Sequence, residues 1–145
     1  MKRGWEVVPV VLQYQIPGND FSSAGEASSN FKTVLKKLGL PSQTIRRVAI
    51  AMYEAEINTV IHGGGGECKA EVNGDRIRIT FCDHGPGIQD VNLAMQAGYS
   101  TASEKIRELG FGAGMGLPNI QKYADDLQID TEIGKGTTLV LTVNL

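Results

Sequence analysis

A chain of 145 residues, 41% hydrophobic and 21% charged, has the size and make-up to bury one core, and neither disorder nor a fibrous repeat is suggested. Its formal net charge of −2 comes without any basic run, which argues against a nucleic-acid ligand. The apolar stretch at residues 7–12 is too short for a signal sequence or membrane span and is broken by Pro9, so a cytoplasmic protein with no membrane contact is expected.

Residues 6–16 are rich in valine, partly alternate, and run into the turn cluster Pro17-Gly18-Asn19-Asp20, which predicts a first strand. A helix should follow, capped by Asn19 or Asp20. Phe21, Ala24, Ala27, Phe31, Val34, Leu35 and Leu38 recur at three- and four-residue spacing until Gly39 stops it. The next helix, residues 42–62, is apolar at Ile45, Val48, Ala49, Met52, Ala55, Ile57, Val60 and Ile61. That stripe is too wide for a helix resting on a surface and predicts a central one.

Gly63-Gly64-Gly65-Gly66 ends this helix, and residues 67–72 and 76–82 then flank Asn73-Gly74-Asp75, a strong hairpin signal. Past Asp83, His84-Gly85-Pro86-Gly87 leads to a short helical piece at 91–97 and to a polar, glycine-interrupted stretch, 98–116, that reads as a mobile lid. A helix is predicted at 117–124, and residues 127–133 and 137–145 form a closing hairpin about Gly134-Lys135-Gly136. Cys68 and Cys82 have no second Cys or His at metal-ligand spacing, although His84 lies close to Cys82; buried free thiols on strands are the expectation.

This order predicts an α+β two-layer sandwich, a mixed, mostly antiparallel sheet with helices on one face, as a single domain over residues 1–145. A Rossmann fold is disfavoured, because no Gly-x-Gly-x-x-Gly turn follows a strand inside a βαβ unit.

Three features carry chemistry. Glu54 and Asn58 lie one turn apart on one face of the central helix; a desolvated carboxylate there can act as a base and an amide oxygen can ligate Mg²⁺, although either could serve a structural role instead. Asp83, ahead of Gly85-Pro86-Gly87, can accept a hydrogen bond from an exocyclic amine while the bare backbone admits a flat ring; a tight Asp-initiated turn is the alternative. Gly110-Phe111-Gly112-Ala113-Gly114-Met115-Gly116 precedes a helix starting near Leu117-Pro118, which suits a phosphate, or else is a flexible connector. It is no Walker loop, since Gly-x-x-x-x-Gly-Lys-Ser/Thr occurs nowhere.

In their order, and with Gly134-Lys135-Gly136-Thr137 closing the series, these segments resemble the GHKL (Bergerat-fold) ATPase and kinase superfamily over nearly the whole chain. Glu54-Ala55-Glu56-Ile57-Asn58 corresponds to its N box, Asp83-His84-Gly85-Pro86-Gly87 to its G1 box and the 110–116 glycines to its G2 box. Within it the chain is most similar to the anti-sigma factor serine kinases and related stress-switch kinases, which carry a Glu-Ala-x-x-Asn N box; Ala97-Gly98-Tyr99-Ser100-Thr101 before the lid is a further point of likeness.

That resemblance implies ATP and Mg²⁺ as cofactors, Glu54 as general base, Asn58 as Mg²⁺ ligand, Asp83 as the reader of the adenine amine and Thr137 as a second adenine contact. Gly112, Gly114 and Gly116 would cradle phosphates, with Gly85, Gly87, Ile88, Ser100, Thr101, Gly110 and Met115 completing the ATP site. Lys105 and Arg107 are the candidate phosphate-facing cations, because the arginine usual nearer the G2 glycines is replaced here by Phe111. His62 and His84 receive no catalytic role. The implied function is a serine/threonine kinase that phosphorylates a small anti-sigma antagonist and holds a sigma factor or similar regulator. The alternative is an ATP-dependent binding module without phosphoryl transfer. Homodimerisation is left open.

Overall fold

The computed structural model describes residues 9–18, 20–96 and 116–145. In chain order these form β1 (Val10–Ile16), α1 (Glu26–Leu38), α2 (Ser42–Ile61), β2 (Gly66–Val72), β3 (Arg76–Asp83), α3 (Val91–Ala94), α4 (Gly116–Tyr123), β4 (Asp126–Glu132) and β5 (Gly136–Asn144). The strands make one sheet in the order β1-β2-β3-β5-β4. All four pairings are antiparallel, so the parallel component expected of a mixed sheet is absent among the described residues. From β1 to β2, β2 to β3 and β4 to β5 the chain re-enters the sheet at the end it has just left, whereas between β3 and β4 it passes to the opposite end, so that β5 runs antiparallel to both of its neighbours.

Alternation along the strands sorts the two faces. Cys68, Ala70 and Val72 of β2, Ile77, Ile79 and Phe81 of β3, and Leu139, Leu141 and Val143 of β5 are buried under the helices. Their chain neighbours, among them Glu67, Lys69, Arg78 and Thr80, point to the other face. α2 lies over β3 and β5 and takes α1 and α4 on its flanks. Ile45, Val48, Ala51, Met52, Ala55, Ile57 and Val60 are all buried, so the central helix expected from the wide apolar stripe is the one found. Full burial of each large apolar side chain contributes roughly 1.5–3 kcal/mol.

A staple closes the far end of α2. The guanidinium of Arg47 donates to the Tyr123 carbonyl at 3.1 Å and to Asp125 at 3.0 Å, while Asp125 also accepts from the Asn144 backbone at 2.7 Å. That backbone bond, helped by Arg47, holds the Asp125 carboxyl below its ordinary range. The C-terminus of α4 and the end of β5 are thus tied to one helix.

The start of α1 differs from the expectation. The helix begins at Glu26 rather than Phe21, and Asp20 does not cap it; Asn19 lies outside the described residues. Asp20 instead accepts from the amide and hydroxyl of Ser22, an Asx turn that competes with helix initiation. Gly25 takes the left-handed conformation at φ 98° as the N-cap, and the capping side chain comes from another helix. Apolar spacing marked the face of α1 correctly, but it does not record where the backbone enters the helix.

Candidate functional site

α2 presents Glu54 and, one turn on, Asn58 toward the same side. Glu54 is half-buried and accepts from the Asn119 amide of α4 at 3.3 Å. Gly116, the first residue of α4, sits beside it: a Cβ there would lie 3.7 Å from the other Glu54 oxygen. Burial raises the Glu54 carboxyl above its ordinary value, partly offset by the Asn119 bond. Among the described residues no hydrogen bond to the Asn58 side chain is present, and its amide oxygen is of the hard type that suits Mg²⁺.

A raised folded pKa means that the native state holds this proton more tightly than the unfolded chain does. Its stabilising contribution is complete below the ordinary carboxyl range and is lost as pH rises through the raised value. Glu54→Gln, permanently neutral and still able to accept from Asn119, is accordingly expected to melt roughly 1–3 °C above the wild type at neutral pH. In acid, below the ordinary carboxyl range, the two should melt together. Thermal scans at both pH values check this, and a variant that melts lower at neutral pH contradicts it.

Two residues along from Glu54, Glu56 is 2% exposed. Its carboxylate accepts from the backbone of Gly25 at 2.8 Å, Ala27 at 3.3 Å and Ser28 at 2.9 Å, and from the Ser28 hydroxyl at 2.6 Å. One acid on α2 thereby satisfies the orphan donors of α1 and complements its dipole. α2 ends at His62, where burial lowers the imidazole pKa and the nearby Asp83 charge opposes that shift. An ordinary helix-end position was expected for His62, and the helix does cap there.

Beyond His62 the chain passes directly over Asp83. A Cβ on Gly63 would come within 2.5 Å of Asp83 Cγ and Oδ2, so only glycine lets the backbone lie against this carboxyl. Asp83, 6% exposed at the end of β3, accepts from Gly85 N at 3.0 Å and from Thr137 N at 3.1 Å. Both bonds end on Oδ1; among the described residues Oδ2 has no donor. Gly136, at φ 131°, packs against the Asp83 carbonyl, and Gly134 N donates to Pro86 O at 2.9 Å, which seats the β4–β5 turn on the loop after β3.

That seat is polar inside. Thr131 Oγ1 accepts from Ile88 N at 2.8 Å and pairs with Thr137 Oγ1 at 2.8 Å. The structure therefore brings Asp83, Gly85, Gly87, Ile88 and Thr137 into one cluster, linked through Gly63 to the end of the helix that carries Glu54 and Asn58, with Gly116 at its other flank. Ser100, Thr101, Lys105, Arg107, Gly110, Gly112, Gly114 and Met115 lie outside the described residues.

Three contributors escaped the sequence reading. Glu56 had a signal: an acid one helical turn before the buried Thr59 on a largely apolar face needs a partner. Thr131 could have been found from its register opposite Thr137. Asn119 carried no signal.

The histidine kinase-like ATPase domain family matches residues 19–143. The chain belongs to that family. Among curated members, an anti-sigma F factor of Thermoanaerobacter sp. (strain X514) is 33% identical over 132 residues, 85% of this chain and 89% of the relative. A serine/threonine-protein kinase, RsbT of Bacillus subtilis, is 30% identical over 112 residues, 74% of this chain and 78% of the relative. The solved RsbU and RsbW domains of a Mycobacterium tuberculosis protein share the fold at a TM-score of 0.61 and 18% identity, over 93% of this chain and 32% of that larger one. For this ATPase-domain chain, membership accounts for the fold and for a nucleotide-binding architecture. No helix among the described residues is long and apolar enough to cross a membrane.

Proposed function

We propose that residues 1–145 form one ATP-binding kinase domain that acts in the cytoplasm as an anti-sigma regulator. In this reading it phosphorylates a serine or threonine of a small antagonist protein and, with ATP bound, holds a sigma factor or similar regulator. The observation that carries it is the arrangement along α2. Glu54, Asn58 and the Gly63–Asp83 contact follow one another over a helix that runs roughly 12 Å from Glu54 to His62 at 1.5 Å per residue. An adenine-reading acid and a proton-accepting acid are thus spaced along one side of a rigid element.

The residues present fit the nucleotide. Asp83 keeps Oδ2 as an acceptor for an exocyclic amine because its other oxygen is already held by two backbone donors. Thr137, tied to Thr131, presents a fixed hydroxyl beside it. Asn58 offers the hard oxygen that Mg²⁺ favours. Mg²⁺–ATP, when bound, supplies the transferable phosphoryl group. Glu54, pushed toward neutrality by burial and steadied by Asn119, accepts the proton of the incoming hydroxyl. The glycines at 110–116 and the cations Lys105 and Arg107 are assigned to the phosphates.

The names of an anti-sigma factor and a serine/threonine kinase among the relatives support this class of function. Phe111, standing where an arginine is usual, favours a second reading in which ATP sets the binding state without transfer. Calorimetry with Mg²⁺–ATP and a radiolabelled transfer assay against a panel of small anti-sigma antagonist proteins separate the two. Glu54→Ala is expected to keep ATP affinity within about threefold and to lower transfer by at least about 100-fold, the low end of general-base contributions. Undiminished transfer removes Glu54 as the base; binding with no transfer by the wild type selects the second reading.

A further inference from the structure

The face of the sheet opposite the helices holds a group of side chains that the nucleotide reading does not use. Glu67 and Cys82 are direct cross-strand partners on β2 and β3, and His84 follows β3 by one residue. Their ligand atoms, a carboxylate oxygen, the Cys82 sulfur and an imidazole nitrogen, all lie within 4.8 Å of one another. His84 Nε2 and Glu67 Oε2 are 3.8 Å apart, and both side chains are well exposed, at 74% and 54%. Spacing in the sequence offered only the Cys82/His84 pair; strand register supplies the third donor.

We propose that Glu67, Cys82 and His84 bind a zinc-class divalent cation, with water in the fourth position. Bonds of roughly 2.0–2.3 Å at tetrahedral angles place ligand atoms about 3.3–3.8 Å apart, the nitrogen–oxygen pair at the short end, so His84 and Glu67, now 3.8 Å apart, need to approach by a few tenths of an ångström, and both side chains are exposed enough to move. The donor set discriminates between metals: a thiolate with an imidazole suits Zn²⁺ and its neighbours and not Mg²⁺ or Ca²⁺. Thr138 Oγ1 donates to Cys82 Sγ at 3.6 Å, a contact that orients the sulfur. Lys69, the nearest cation along β2, is paired with Glu71 at 3.7 Å and does not claim Glu67. The other cysteine is not a competitor. Cys68 is 2% exposed and, as the chain neighbour of Glu67 on β2, points to the opposite, helix-covered face. Because Cys82 and His84 are the chain neighbours of Asp83, a metal here grips that residue's strand end from the opposite side of the sheet.

Cobalt titration of the reduced full chain, followed by displacement with Zn²⁺, tests the site. One Co²⁺ per chain is expected to produce thiolate-to-metal charge-transfer absorption that Zn²⁺ abolishes. Cys82→Ser should eliminate the band, and Cys68→Ala should retain it. His84→Ala should weaken Zn²⁺ binding by at least about 100-fold, the upper end of what losing even an outer partner costs. Cys82 and His84 are not core residues, and circular dichroism verifies that their variants fold. Absence of the band in the wild type, or its persistence in Cys82→Ser, overturns the proposal.

Discussion

Glu56→Ala is expected to lower folding stability by about 3–5 kcal/mol, the combined effect of orphaning several buried donors that bond to one carboxylate. Four donors lose their acceptor at once: the backbone of Gly25, Ala27 and Ser28 and the Ser28 hydroxyl. Each orphaned buried group costs roughly 1–3 kcal/mol, lessened here because the start of α1 can relax toward water. Against a typical total of about 5–15 kcal/mol, this leaves a marginal domain. Glu56→Gln retains one oxygen but turns an NH₂ toward donors, so it should fall between alanine and wild type. Urea titration followed by circular dichroism measures the series. A loss below about 1 kcal/mol for alanine would mean that α1 is held by its apolar face alone, through Ala27, Phe31 and Leu35.

Asp83→Asn is expected to weaken Mg²⁺–ATP binding by at least about 100-fold, or roughly 2.7 kcal/mol, with little change in melting temperature. The asparagine oxygen can replace Oδ1 and keep both bonds, from Gly85 N and Thr137 N. Its NH₂ then occupies the Oδ2 position and meets the adenine amine donor to donor. Flipping the amide relieves that clash only by turning the NH₂ onto two backbone N–H groups, so neither orientation satisfies both sides. Calorimetry and a thermal melt on the same sample read affinity and stability separately. Binding within threefold of wild type would remove Asp83 as the adenine reader. Gly63→Ala gives a contrast: a Cβ forced to within 2.5 Å of Asp83 Cγ should lower affinity and stability together.

Much of the layout was legible because it depends on local rules. The three-residue Asn73-Gly74-Asp75 turn, in which Asn73 Oδ1 accepts from Asp75 N and Arg76 N, sits where the hairpin signal placed it. Apolar width alone identified α2 as the central helix, and turn signals placed the hairpins to which β3 and β5 belong. The order along the chain of the Glu54/Asn58 pair, Asp83 with its glycines, the 110–116 glycines and Gly134-Lys135-Gly136-Thr137 was likewise enough to indicate a family to which the chain does belong. Their mutual distances were not legible, nor was the antiparallel pairing of β3 with β5 that brings Thr137 N to Asp83.

Local sequence therefore determined which segments are helix or strand, which faces are apolar and which residue types are available for chemistry, since these follow from period, turn geometry and side-chain identity. Only the tertiary structure decided that Glu56 caps a helix about thirty residues away, that Gly63 lies on Asp83, and that Glu67 meets Cys82 and His84 across a strand. Each of those contacts joins positions whose separation along the chain carries no periodic signal, and each is set by sheet register and helix packing.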